Sequence, residues 1–327
     1  MVQPPYPSGR GAASPSRVRL GKTQLEISRL CLGGNVFGWS ADERESFAVL
    51  DAYAAAGGNF IDTADVYSAW VRGHVGGESE SIIGRWMAAR GNRASMIVAT
   101  KVGLLPTLKG LTRSTIQSAA DASRRRLAVD CIDLYYAHRD DPETPLTETV
   151  RAFDALVKAG AVRYVAASNY EAPRLRDALT IARREGLTEF VALQPHYNLV
   201  HRGDYEGALL DLCAAEQIAC LPYYSLAMGF LTGKYRPGVT VDSVRSAGAK
   251  RYLDARGVRT LEALDAVAAA RGTPVAAVAL AWLGARPTVA APIASARTVE
   301  QLAELLPATS LALTDDEIAR LSSAARP

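Results

Sequence analysis

Several features that would settle a protein's chemistry at a glance are scarce or missing here. The 327 residues hold four cysteines, Cys31, Cys131, Cys213 and Cys220, each among apolar neighbours and none at ligand spacing from another cysteine or a histidine. That argues against a disulfide or zinc framework and for core thiols in a reducing compartment. The formal net charge is only +3, with 22% charged residues, which leaves no basic footprint for nucleic acid or a membrane surface. No apolar run reaches about 18 residues without a charge or a turn former, so no membrane span is expected and the location expected is cytoplasmic. A doubly wound dinucleotide-binding sheet should carry Gly-x-Gly-x-x-Gly after its first strand; the nearest candidate, GGNVFG from Gly33, lacks the spacing.

What is present is a rhythm. Residues 1–16 are rich in Pro, Gly and Ser and read as a disordered arm without fold content. From 17 to 327 the chain reads as one domain. VRLGKTQLEIS, from Val18, predicts a hairpin turning at Gly21-Lys22-Thr23. Eight short β-rich runs then begin at Arg29, Asn59, Ser95, Cys131, Val162, Phe190, Ile218 and Thr288, separated by amphipathic segments of helical length, several closing on Gly. Strict β-α alternation predicts a parallel sheet, and the count of eight without the dinucleotide fingerprint predicts an α/β fold of the (β/α)8 TIM-barrel type. Residues 231–287 break the rhythm with a long polar loop and two helices, an excursion expected to lie over the active face.

In such a barrel the residues just past the C-terminal strand ends converge on one mouth. Asp62 and Tyr67 follow the second run, Lys101 the third, His138 the fourth, Ser168 and Asn169 the fifth, Gln194 the sixth, and Tyr223 and Tyr224 the seventh. Singly, each has an ordinary explanation as a helix cap, a solvated strand end or a rim aromatic. Jointly, Asp, Tyr, Lys and His at three consecutive strand ends make a device that can protonate an oxygen as negative charge develops on it. Lys101 is expected to bring the Tyr67 pKa down, with Asp62 as the lysine's counter-ion and His138 orienting a carbonyl oxygen.

The runs NFIDTADVYS, GGESESIIGRWM, IVATKVG, IDLYYAHRDDPETPLTETVRAFDALVKAGAVRYVAASNY, LQPHYNLVHR and LPYYSLAMGFLTGKYRPG together resemble the aldo-keto reductase superfamily, over a span from about Val18 to Leu321. The resemblance implies that Asp62, Tyr67, Lys101 and His138 form the family's proton-relay tetrad, and leaves Asp65 as a turn or helix-start residue. It implies an NAD(P)-dependent oxidoreductase that reduces an aldehyde or ketone with hydride from nicotinamide and a proton from Tyr67.

The resemblance further implies that Ser168, Asn169 and Gln194 hold the carboxamide and that Tyr223 stacks on the nicotinamide ring. Tyr224 to Lys234 should pass over the pyrophosphate, with Leu226, Gly229 and Leu231 allowing close backbone approach and Lys234 reaching a phosphate, while Gly34 and Asn35 face the same region. Ile293, Ser295, Arg297, Gln301 and Glu304 occupy the adenosine end, where Arg297 beside Ser295 suits a 2′-phosphate. NADP is therefore expected ahead of NAD, although Ala294 and Ser295 replace the family's Pro-Gly and Leu305 stands where an asparagine is common. Trp39 and Trp70 are candidates for the substrate pocket, the expected partner being a small-molecule carbonyl compound with no metal, nucleic acid or membrane. Two other readings stay open: a slow-turnover regulatory subunit that binds cofactor, and a barrel lyase using Lys101 as a Schiff base.

Overall fold

A computed structural model of the protein describes residues 17–326, so the arm anticipated over residues 1–16 lies outside the described residues. The hairpin is present as β1 (Arg17–Arg19) and β2 (Glu26–Ser28), paired antiparallel. Eight strands follow: β3 (Cys31–Gly33), β4 (Phe60–Asp62), β5 (Ile97–Val102), β6 (Ile132–Ala137), β7 (Val162–Ser168), β8 (Ala192–Gln194), β9 (Ala219–Cys220) and β10 (Ile293–Ala294). They pair in parallel in the order β10-β3-β4-β5-β6-β7-β8-β9. The ring closes where the Cys220 N–H donates to the Thr288 carbonyl at 2.8 Å and the Ala290 N–H donates back to the Cys220 carbonyl at 2.9 Å. The α/β barrel expected from the alternation is the fold observed.

Helices α1 (Glu43–Ala55), α2 (Glu78–Arg90), α3 (Arg113–Leu127), α4 (Leu146–Lys158), α5 (Ala172–Glu185) and α6 (Ala208–Ala215) sit on the six amphipathic runs. The excursion supplies α7 (Ser246–Lys250), α8 (Ala255–Arg271) and α9 (Val275–Gly284), and α10 (Val299–Leu305) and α11 (Asp315–Ala324) end the chain. Local chemistry accounts for their limits. Asp42 and Glu45 form a capping box at the start of α1, and Gly186 stops α5 in the left-handed region at φ 64°. Several strands are shorter than the apolar runs that announced them. β8 starts at Ala192 rather than Phe190, and β10 at Ile293 rather than Thr288, since Pro292 has no N–H to give a ladder.

Strand alternation sorts the side chains into two shells. Cys31, Phe60, Ala99, Leu134, Tyr136, Ala166, Ala192, Ala219, Leu221, Ala291 and Ile293 fill the barrel interior, where Leu20, Leu25 and Ile27 of the hairpin join them. The intervening residues, such as Leu32, Ile61 and Val98, point outward against the helices.

One outward layer is polar. Glu80 of α2, fully buried, accepts from Thr100 Oγ1 at 2.6 Å and from Arg126 Nε at 2.7 Å. Ser79 receives the Thr63 hydroxyl at 2.8 Å and donates to the Gly34 carbonyl at 2.8 Å. These contacts require α2 to lie close, and Gly84 permits it: a Cβ there would sit 2.3 Å from the Arg126 carbonyl oxygen of α3. Asp65 is not at a helix start. It lies in the turn after β4, fully buried, with no hydrogen-bond partner on either carboxylate oxygen. Burial first, and then the charge of Glu80, push its pKa up to about 8.

Two expectations follow. Gly84→Ala must push α2 off α3, and a cost of about 1–3 kcal/mol is expected for overpacking, read as a lower urea midpoint with an unchanged m value; wild-type stability would show that the two helices move apart freely. For Asp65, the folded state keeps a proton that the unfolded chain gives up near pH 4, so its contribution is complete at acid pH and is lost as pH rises toward about 8. Asp65→Asn, which keeps the neutral shape, should gain on the wild type by up to about 1.4 kcal/mol per pH unit over that window. Urea midpoints of both proteins at several pH values check this, and a difference that does not change with pH would show that Asp65 carries no proton.

Candidate active site

Alternation carries the mouth residues inward. The interior set Phe60, Ala99, Tyr136, Ala166, Ala192, Leu221 and Ile293 is extended two residues on by Asp62, Lys101, His138, Ser168, Gln194, Tyr223 and Ser295, so each of these side chains turns into the barrel. Tyr67 arrives separately, from the turn after β4.

These groups meet. Lys101, with none of its side chain exposed, donates to Asp62 Oδ2 at 2.7 Å, to the Thr63 carbonyl at 2.8 Å and to the Tyr67 hydroxyl at 3.0 Å. The Tyr67 hydroxyl also lies 3.3 Å from Asp62 Oδ2, and Gln194 Nε2 donates to Asp62 Oδ1 at 2.9 Å from across the barrel. The His138 ring stands 6.3 Å from the Tyr67 ring, and its Nδ1 is buried without a partner.

Electrostatics here differ from the sequence expectation for Tyr67. Its pKa lies well above the usual phenol value, because burial and then the Asp62 carboxylate raise it. Lys101 is present as expected, but Asp62 sits against both partners and opposes its effect. A phenol so placed holds its proton and is a donor. His138 is pushed well below its ordinary value by burial, then by Lys101 and Arg139, so it is a neutral imidazole at neutral pH.

Above this cluster opens a cavity of about 1060 Å³, whose lining includes Asp62, Tyr67, Trp70 and His138 and also the cations Lys234, Arg245 and Arg297. Most residues anticipated from the strand ends and the later loops line it: Asn35, Ser168, Asn169, Gln194, Tyr223, Tyr224, Leu226, Gly229, Lys234, Ile293, Ser295, Arg297, Gln301 and Glu304. They are also linked to one another. The Tyr223 hydroxyl donates to Asn169 Oδ1 at 2.8 Å, Ser168 Oγ to the Gln194 carbonyl at 2.9 Å, and Ser295 Oγ to Asn35 Oδ1 at 2.6 Å.

Three candidates fall elsewhere. Gly34 has the wrong parity: Gly33 lines the cavity, while Gly34 turns toward α2 and gives its N–H to the Asp62 carbonyl at 2.7 Å. Leu231 is fully buried in the outer core. Trp39 lines a separate cavity behind the loop and meets Trp70 edge to face at 5.4 Å.

Two charged lining residues were missed, Arg139 beside His138 and Arg245. Arg245, from the polar excursion, lines the cavity with a buried Nη2 that has no partner, and its guanidinium lies over the Trp39 ring at 5.7 Å. A lone arginine in a loop carries no periodic signal; only the expectation that the excursion covers the mouth pointed toward it. Lys234 is held below its ordinary value by burial and by repulsion from Arg297 and Arg245. Three cations gathered with little compensation, one holding an orphaned N–H, fit the phosphates of a nicotinamide dinucleotide. Asn169, Ser168 and Tyr223 offer amide, hydroxyl and aromatic surfaces for its ring.

Comparison with known proteins agrees with this geometry. The model of the "Aldo/keto reductase family" matches residues 29–326. Among curated relatives, a rice protein named "Probable voltage-gated potassium channel subunit beta" is 34% identical, with 87% of this chain and 88% of that protein aligned. "Norsolorinic acid reductase B" of Aspergillus parasiticus is 33% identical over 92% of this chain and 81% of its own length. "Aldo-keto reductase AMT2" of Alternaria alternata is 31% identical over 93% and 89%. With a family match across the barrel and a cavity bearing the residues described above, the chain belongs to the aldo/keto reductase family.

Proposed function

We propose that this chain reduces the carbonyl group of a small-molecule aldehyde or ketone in the cytoplasm, with residues 17–327 acting as one catalytic unit and NADPH preferred over NADH. The observation that carries the reading is the Tyr67 hydroxyl, held at 3.0 Å from Lys101 Nζ and 3.3 Å from Asp62 Oδ2, with Tyr67 lining the cavity. A nicotinamide bound there supplies the hydride. Asn169 and Ser168 would hold its carboxamide, Tyr223 its ring face, and Lys234, Arg245 and Arg297 its phosphates.

The residues of the chain then do the proton chemistry. Neutral His138 offers one N–H to the substrate oxygen and orients it against Tyr67. As charge develops on that oxygen, Tyr67 gives up its proton, and the adjacent Lys101 ammonium steadies the phenolate left behind. Asp62 holds Lys101 in place through the 2.7 Å contact. Gln194, whose amide is committed to Asp62, serves the relay as well as the cavity wall.

The other two readings fare less well on the same geometry. A Schiff base needs a neutral lysine amine that substrate can reach, whereas Lys101 is fully buried with three oxygen partners. The name of the rice relative points to a regulatory subunit. A complete relay facing a large cavity favours turnover.

Tyr67→Phe removes one hydroxyl and keeps the ring, so reduction should fall by roughly 100-fold or more while cofactor affinity holds. Lys101→Met should cripple the same step, and the double variant should be little worse than the worse single one, because the pair acts as a unit. Single-turnover oxidation of NADPH with a panel of aldehydes and ketones reads all three, with affinity followed by fluorescence; near wild-type rates in Tyr67→Phe would remove Tyr67 as the proton donor. Arg297→Ala should weaken NADPH by about tenfold and leave NADH nearly unchanged, the difference shrinking with added salt. An equal loss for both cofactors would show that Arg297 does not read the 2′-phosphate.

A further inference from the structure

The loop after β8 folds back on itself outside the cavity. The Asn198 N–H donates to the His201 carbonyl at 3.0 Å and the His201 N–H donates back to the Asn198 carbonyl at 3.1 Å. This bridge lays the His196 and His201 rings face to face, with centroids 3.7 Å apart and planes 9° from parallel. Asp204 follows at the surface and lies 2.7 Å from His201 Nε2, its side chain 70% exposed. One ligand atom from each of the three lies within 4.8 Å of the other two. Neither histidine nor Asp204 lines the cavity, and carbonyl reduction assigns them nothing.

We propose that His196, His201 and Asp204 form a binding site for one divalent transition-metal ion of the zinc class, at the rim of the barrel mouth beside Tyr223. Two imidazole nitrogens and a carboxylate oxygen are a donor set that zinc and its neighbours take readily and that magnesium or calcium, which prefer all-oxygen shells, do not. His196 Nε2 lies 3.4 Å from the Asn198 side-chain amide, a long contact that an ion at this nitrogen would replace. A tetrahedral shell with ligands at about 2.0–2.1 Å sets ligand atoms roughly 3.3 Å apart. The present cluster, within 4.8 Å, is wider than that, so binding has to draw the three side chains together. Because the stacked rings aim their in-plane lone pairs along parallel lines, one imidazole has to turn out of the stack, and the ion then sits between His201 Nε2 and Asp204 Oδ2. Exposure of Asp204 leaves the remaining coordination position to water.

The site has a consequence that rests on the proposed function. His196 also stacks on Tyr223, with centroids 5.4 Å apart and planes 22° from parallel. An ion that turns His196 alters the support behind the ring assigned to the nicotinamide, so ion and cofactor affinities should shift by the same factor.

The test uses the cofactor-free chain without a histidine tag. It is titrated with Co²⁺, followed by visible absorption, and then with Zn²⁺ as competitor. Wild type, His201→Ala and Asp204→Asn are compared, with circular dichroism as the check on folding. One saturable equivalent of Co²⁺, displaced by Zn²⁺ and weakened about tenfold or more in His201→Ala and measurably in Asp204→Asn, is expected. Absence of saturable uptake, or affinity unchanged in both variants as it would be for an ion held at His74 and Glu78, overturns the site. Asp204 is exposed, so its variant keeps the test decisive even where His201→Ala misfolds. Because this titration needs neither cofactor nor substrate, it fails or succeeds independently of the proposed reaction. NADPH affinity measured with and without saturating Zn²⁺ then reads the coupling, and an unchanged value removes the coupling.

Discussion

A lysine with no exposed surface at the centre of a barrel is the constraint around which the rest is arranged. Bringing an ammonium out of water costs several kcal/mol unless every N–H is matched and a counter-charge stands close. Lys101 meets that condition fully: its three N–H groups face Asp62, the Thr63 carbonyl and the Tyr67 hydroxyl. Each partner in turn fixes a piece of the fold. Asp62 and Thr63 set how β4 runs beside β5, Tyr67 sets the path of the turn after β4, and Gln194 ties β8 to the far oxygen of Asp62.

Support for that centre extends outward through polar contacts rather than apolar packing alone. Thr63 is held by Ser79, and Thr100, next to Lys101 but pointing the other way, is held by Glu80. Both come from α2, whose approach to α3 depends on the bare backbone at Gly84. Asp65 is the weak point in this layer, a buried carboxyl with no hydrogen-bond partner, its pKa raised by burial and then by Glu80. Burial of such a group is tolerated because it can remain neutral.

The same arrangement decides the character of the tyrosine. An ammonium by itself would favour phenolate, but Asp62 lies against both Lys101 and Tyr67, and burial adds to its effect. The result is a phenol that keeps its proton, with Lys101 beside its oxygen. At the cations of the cavity the balance is reversed: Lys234, Arg245 and Arg297 repel one another. The Lys101 cluster is neutralised internally, whereas the three lining cations are left to be neutralised by what binds.

Much of this was legible in the sequence, and for a definite reason. The β-α rhythm is local, so the barrel and the placing of Asp62, Lys101, His138, Ser168, Gln194 and Tyr223 at strand ends could be read from spacing, whereas Ser295 came from the family resemblance. Strand parity, applied strictly, would have separated Gly33 from Gly34. Strand ends were less legible, since Pro292 and the closing bridge at Cys220 shorten what hydrophobicity suggests. Leu231 and Trp39 went astray because loops obey no period. By itself, then, the sequence determined the architecture and the set of side chains at the mouth. Only the tertiary structure decided the sign of the Tyr67 shift, the commitment of Gln194 to Asp62, the arrival of Arg245 and the stacking of His196 on His201. These depend on distances between groups far apart in the chain, and Coulomb energies and hydrogen bonds are functions of distance, not of sequence order.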